Sequence, residues 1–158
     1  MTRKKGTNVA ASVQQRLLNL AKTEGRPHGE LLQHFAMERF LYRLSQSPHR
    51  DKLVLKGALA LRAWGGIAVR PTRDIDMLCL LNVSVADTVA LVRECLDNER
   101  VPADGLEFDA DSLVGEEIAL VARYRGVRVR LKAVLGKARL PLQIDVGFGD
   151  VVQRGLLE

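Results

Sequence analysis

The feature that most constrains this chain is Asp74-Ile75-Asp76 at the head of the apolar run Met77-Leu78-Cys79-Leu80-Leu81. In an extended segment, residues i and i+2 share a face. Asp74 and Asp76 therefore point together, while Ile75 and Met77 enter a core. An almost wholly apolar run of this length, from Ile75 to Leu81, reads as a buried central strand. A sheet that buries this strand has to carry the two acids where water, or a cation, can reach them.

The residues upstream suit phosphate chemistry. Lys56-Gly57-Ala58-Leu59-Ala60-Leu61 reads as a short strand end, a glycine turn and a helix over 58–64. A glycine lets backbone approach a phosphate, and the N–H groups of the following helix start face it. The alternative is a helix start that needs only a positive φ. A loop over 65–73 follows, punctuated by Gly65-Gly66 and Pro71. It brings Arg70, Thr72 and Arg73 directly before the aspartates. Arginines clamp a triphosphate bidentately and a threonine hydroxyl donates to it; a merely solvated loop is the other reading. Converging carboxylates that hold a hard cation, with phosphates and water completing its shell, are what Mg²⁺-assisted phosphoryl transfer requires.

Asp145 is the third acid. It lies inside Leu142-Gln143-Ile144-Asp145-Val146. A buried carboxylate there is costly unless paired or bound to a cation. A strand beside 75–81 would bring it to the same metal site, where a third acid also helps deprotonate an attacking hydroxyl. A capping or salt-bridged aspartate facing the basic hairpin below is the competing reading.

The remaining elements follow from spacing. Residues 1–7 are polar and basic and read as a frayed end. Val9, Val13, Leu17, Leu20 and Ala21 recur at helical intervals after Asn8, with Asn8 or Ser12 as cap and Gly25 with Pro27 as stop. A second helix spans about Gly29 to Ser45 and breaks at Ser47-Pro48, with Gln33, His34, Glu38, Arg39 and Arg43 as its exposed polar members. A third starts at Ser84 or Asp87 and runs to about Asn98. Leu106–Phe108 reads as a short strand. Ile118–Tyr124 and Val127–Val134 read as a hairpin around Arg125-Gly126, Leu140–Val146 as a further strand, and Gly147-Phe148-Gly149-Asp150 as a turn. In the second arm of that hairpin Val127, Val129 and Leu131 alternate with Arg128, Arg130 and Lys132, so one face is apolar and the other cationic.

Charge is segregated. The net charge is +5, but residues 94–117 hold nine acids and one base, whereas 118–139 hold seven bases and no acid. The basic block suits a polyanion such as RNA, or a solvated sheet face. Cys79 and Cys95 sit in apolar contexts and read as buried free thiols of a reducing, cytoplasmic protein. No run of about 18 apolar residues is present to span a membrane, and no signal-peptide core follows the basic start. The three histidines are dispersed, no His/Cys spacing suggests zinc, and no Walker A, Rossmann or Gly-x-Ser-x-Gly pattern occurs.

Four ordered blocks carry a family resemblance: Glu38-Arg39-Phe40-Leu41-Tyr42-Arg43-Leu44-Ser45; Lys56-Gly57-Ala58-x-Ala60-Leu61; Arg70-x-Thr72-x-Asp74-Ile75-Asp76; and Gln143-Ile144-Asp145-Val146-Gly147-Phe148-Gly149-Asp150. Together they resemble the AbiEii/AbiGii nucleotidyltransferase toxins. The resemblance implies an α/β (α+β) fold, a polymerase-β-like nucleotidyltransferase core with a mixed sheet. An N-terminal helical extension over 1–50 would precede a core over 51–158. It implies Mg²⁺ (or Mn²⁺) on Asp74, Asp76 and Asp145, and an NTP held by Lys56, Gly57, Ala58, Arg70, Thr72 and Arg73. An RNA acceptor, the tRNA 3′ end, would meet Arg128, Arg130 and Lys132. The expected role is the toxin of a type IV (AbiE-like) toxin–antitoxin system, with an antitoxin protein as partner.

Two departures from the family pattern stand out. The usual Gly-Gly or Gly-Ser turn is Gly57-Ala58. The family's C-terminal helical region, with further nucleotide contacts and the general base, is expected to be missing beyond Glu158. The alternative reading is therefore a catalytically silent protein of the same fold that binds nucleotide or antitoxin. A phosphohydrolase using the same carboxylates is a third.

Overall fold

The computed structural model describes residues 2–56, 74–81, 83–99, 101–119 and 125–148, with the side chains of 2–8 and 56 left aside. Its centre is a five-stranded mixed sheet in the order β1-β2-β5-β4-β3. The strands are β1 (Leu53–Lys56), β2 (Ile75–Cys79), β3 (Leu106–Ala119), β4 (Arg125–Leu135) and β5 (Ala138–Phe148). Only β2 and β5 run parallel; the other three pairings are antiparallel. The chain thus leaves β2, builds α3, β3 and β4, and returns with β5 alongside β2.

Binary patterning gives this sheet two unlike faces. Ile75 and Met77 of β2, Val127, Val129 and Leu131 of β4, and Leu142, Ile144 and Val146 of β5 are all buried. They share one face and form a single core with the helices. The alternating residues, Asp76, Arg128, Arg130, Gln143 and Asp145, share the other face.

Helices α1 (Thr2–Glu24), α2 (His28–Ser45) and α3 (Val85–Cys95) complete the described elements. Ser84 caps α3 by accepting from the Asp87 N–H at 3.1 Å. Gly25, at φ 66°, closes α1 as a left-handed terminal residue, and the Arg26 N–H reaches the Ala21 carbonyl at 3.0 Å. α2 covers the apolar face through Phe40, which meets Phe108 of β3 edge-on at 6.3 Å. No helix among the described residues is long and apolar enough to cross a membrane.

Several sequence expectations need correction. α1 begins at Thr2, ahead of both expected caps, so Asn8 and Ser12 lie inside it. The short strand expected at Leu106–Phe108 is the first part of β3, 14 residues long. It crosses a register shift between Asp109 and Val114, and that irregularity hid its continuity. Arg125-Gly126 is not a turn. Gly126 pairs with Ile118 on one side and Gly147 on the other. A tight turn at Gly136-Lys137 joins β4 to β5, with Gly136 at φ 62° between the paired Leu135 and Ala138, whereas the connection of β3 to β4 over 120–124 lies outside the described residues. Gly147 and Phe148 belong to β5 rather than to a turn. The helix expected over 58–64 and the loop over 65–73 lie outside the described residues. Cys79 and Cys95 are buried and free, as expected.

Candidate active site on the open sheet face

The register places the acids. Asp76 of β2 stands directly opposite Asp145 of β5 in the parallel pairing. Directly opposed residues point to the same side of a sheet, and Asp74 is two residues before Asp76. All three acids therefore belong to the open face, and β5 is the neighbouring strand that the sequence required.

The same row continues outward. Lys56 of β1 opposes Asp76, Arg128 of β4 opposes Asp145, and Glu116 of β3 opposes Arg128. A pair of acids at the centre of the sheet is thus bracketed by a basic residue on each neighbouring strand. Gly57, Ala58, Arg70, Thr72 and Arg73 lie outside the described residues, as does the Lys56 side chain.

Asp145 is 8% exposed and is held by Arg128. The Arg128 Nε donates to Asp145 Oδ1 at 2.8 Å and Nη2 donates to Oδ2 at 3.1 Å. This two-pronged pairing is the salt-bridged arrangement that the sequence left as the competing reading of Asp145. It holds the Arg128 guanidinium above its ordinary pKa; the hydrogen bond to Asp145 contributes most, against the opposing effect of burial. The charges of Asp145, Glu116 and Asp74 add to it.

The donor chemistry of Asp74, Asp76 and Asp145 fits a hard divalent cation, which takes carboxylate oxygens. Their backbone positions fit it too. As the side chains stand, no three acids, histidines or cysteines among the described residues are gathered closely enough to enclose a metal ion. Asp145 is committed to Arg128.

The basic residues of β4 are less free than the sequence suggested. Arg130 pairs with Glu116 at 3.0 Å and lies 3.3 Å from Gln143 Oε1, and Arg125 pairs with Glu117 at 3.3 Å. The later part of the acidic block lies on β3 and much of the basic block on the neighbouring β4, so Glu117 and Glu116 meet Arg125 and Arg130 across the two strands. Lys132 has no ion-pair partner among the described residues, although its backbone N–H donates to Ser112 Oγ at 2.8 Å.

A groove of about 1120 Å³ opens on this face beside Asp74. Arg130, Lys132 and Gln143 line it from the sheet, and Gln33 and His34 line it from α2. A polar helix face is all that marks these α2 residues in the sequence. Gln33 donates to the Pro141 carbonyl at 2.6 Å, tying the start of α2 to β5. Arg43, read as another exposed member of that face, is instead buried at 2% and binds Asp104.

Fold and site together define an α/β protein whose mixed sheet buries one face under helices and carries acids and arginines on the other. Within that class the sequence is specific. Residues 39–156 match the AbiEii family, the nucleotidyl transferase AbiEii toxins of type IV toxin–antitoxin systems, and the chain belongs to this family. Among solved structures it is similar to JHP933 from Helicobacter pylori, with 18% identity over 77% of this chain and a TM-score of 0.45. It is also similar to an H. pylori protein described provisionally as a nucleotidyltransferase, with 18% identity over 76% and a TM-score of 0.44. The chain spans 45% of the length of each. No curated protein sequence matched the chain.

Proposed function

We propose that this protein is a metal-dependent nucleotidyltransferase, the toxin of a type IV toxin–antitoxin pair. It transfers NMP from an NTP to the 3′ end of an RNA, with tRNA as the expected acceptor. The observation that carries this reading is the in-register placement of Asp76 beside Asp145, with Asp74 two residues away on the same face. Family membership supports the reaction class and an antitoxin partner.

In this reading Asp74, Asp76 and Asp145 hold Mg²⁺ or Mn²⁺. A cation held there would supply charge screening for the triphosphate and a lower pKa for the acceptor hydroxyl. The remaining work falls to the chain. Lys56, the Gly57-Ala58 turn, Arg70, Thr72 and Arg73 bind the triphosphate. Arg130 and Lys132, in the groove beside Asp74, orient the RNA backbone. Holding both reactants on one rigid sheet makes the displacement effectively intramolecular. The buried free cysteines and a proposed RNA acceptor support a cytoplasmic location.

The test is transfer of label from each α-labelled NTP to total tRNA. Wild-type protein with Mg²⁺ should label tRNA 3′ ends and Asp74→Ala protein should not, while both show the same thermal unfolding. Undiminished labelling by the variant would remove the assignment. Release of free NMP without labelled RNA would favour the phosphohydrolase reading instead.

A further inference from the structure

We propose that Arg128 is a built-in counter-ion for the carboxylate site, a latch that a divalent cation must open by taking Asp145 from it. The inference rests on the reading of Asp145 as a metal ligand and adds to it a positioning residue.

Three observations carry it. First, β5 lies between β2 and β4, and both Asp145 oxygens bond to Arg128 on the β4 side, whereas Asp76 lies on the β2 side. Asp145 is thus held to the strand away from its fellow acids. Second, no three acids, histidines or cysteines among the described residues are grouped closely enough to enclose a cation. Third, the guanidinium lies within electrostatic reach of Asp145, Glu116 and Asp74 together, so one fixed cation balances several acids of the site.

A nearly buried carboxylate with no cation beside it is costly. Arg128 removes that cost when no metal is bound, and the same bond opposes metal entry. Binding a cation therefore requires Asp145 to exchange two charge-assisted hydrogen bonds for a metal–oxygen bond. Arg128 sets the cation concentration at which the site loads.

Mn²⁺ binding to the full chain, followed by the paramagnetic resonance of the free ion, tests this without reference to turnover. Removing the competitor should tighten binding. Arg128→Gln should bind Mn²⁺ at least about tenfold more tightly than wild type, the factor that a charged hydrogen bond contributes. Arg128→Lys keeps the charge and loses the fork, so it should fall between them, and it decides the matter should Arg128→Gln fail to fold. In an Asp145→Asn background, Arg128→Gln should tighten Mn²⁺ binding by much less than it does in the wild type, because only the guanidinium's longer-range effect on Asp74 and Glu116 is then removed; an equal gain in both backgrounds would overturn the latch. As a second readout, the Nε–H resonance of Arg128 should lose its hydrogen-bonded shift as Mg²⁺ saturates the wild type. Equal or weaker Mn²⁺ binding by the Arg128 variants, or an Nε–H signal that Mg²⁺ does not move, would overturn the latch while leaving the metal site intact. Failure of the wild type to bind Mn²⁺ at all would overturn the latch and the metal-site reading together.

Discussion

Asp76 and Asp145, 69 positions apart in the sequence, are neighbours across the one parallel pairing of the sheet. That adjacency joins the Asp-x-Asp segment to a distant strand. It also makes the open face chemically distinct from the apolar face beneath it. If the acids act through a bound cation, replacing either partner should weaken metal binding far more than it weakens the fold. Asp76→Asn is the cleaner variant because Asp145 also anchors Arg128. Calorimetry with Mn²⁺ should show at least about a tenfold loss for Asp76→Asn, the scale set by losing one charged ligand contact. Unchanged affinity would exclude Asp76 as a ligand.

RNA binding should depend on the two basic residues that line the groove. Lys132→Ala and Arg130→Ala should each weaken binding of single-stranded RNA across sequences alike. Each lost phosphate contact should flatten the slope of log K against log salt by about 0.7. A slope that stays unchanged in both variants would place the acceptor elsewhere.

The fold around the site depends on a buried ion pair. Arg43 of α2 is 1% exposed at its side chain, bonds Asp104 through Nη1 at 2.9 Å and Nη2 at 3.1 Å, and lies 4.9 Å over the Phe108 ring. Arg39 adds a further bond to Asp104 at 2.7 Å. Arg43→Met should destabilise the protein by about 3 kcal/mol, because Asp104 loses its best-buried partner. Urea unfolding measures this, and a change below about 1 kcal/mol would contradict it.

The same cluster predicts a pH dependence. Burial pushes the Asp104 carboxyl upward, but the hydrogen bonds from Arg43, Arg39 and the Leu106 N–H outweigh it and leave the pKa below its ordinary 3.8. A depressed folded-state pKa means that the unfolded chain binds the proton more readily in that window. The contribution is therefore present above the ordinary pKa and lost as pH falls through the folded-state value. Unfolding between pH 5 and 2.5 should show an acid limb that is shallower in Asp104→Asn than in wild type. Identical limbs would show that Asp104 adds nothing.

The α1 docking is tested at Gly105. This residue has φ 80°, and a Cβ placed on it would come within 2.7 Å of the Ala10 backbone. Both the left-handed backbone and the close approach require glycine. Gly105→Ala should destabilise by about 2–4 kcal/mol, combining backbone strain with overpacking. A thermal midpoint equal to that of the wild type would contradict the α1 placement.

Much of this architecture was legible in local pattern. Alternation in Val127-Arg128-Val129-Arg130 and the apolar run after Asp76 identified two core strands and their polar faces. Ser84, Gly25 and Ser47-Pro48 marked helix ends because capping and turn chemistry are local. What the sequence obscured was set by contacts distant in the chain. The shifted register of β3 broke its alternation, so its length could not be read from period alone. Gly126 resembled a turn but is paired on both sides in the sheet. Arg43 looked like a surface residue because its partner, Asp104, lies 61 positions away. For the site, Asp74, Asp76 and Asp145 were recognisable as residue types, and a shared position for them could be argued. A salt bridge from Asp145 to the basic hairpin could be raised only as an alternative, and Arg128 could not be named as its partner, since side-chain partners across strands depend on register.

The most direct measurement is single-turnover transfer from α-labelled NTP to tRNA, made with wild type, Asp74→Ala, Asp76→Asn and Asp145→Asn under saturating Mg²⁺. Wild type should label 3′ ends and each variant should lose at least about a hundredfold, with every protein folded; electrostatic groups at reacting centres typically contribute on that scale. Full labelling by any one of the three folded variants would contradict the proposal that these carboxylates act together at one site.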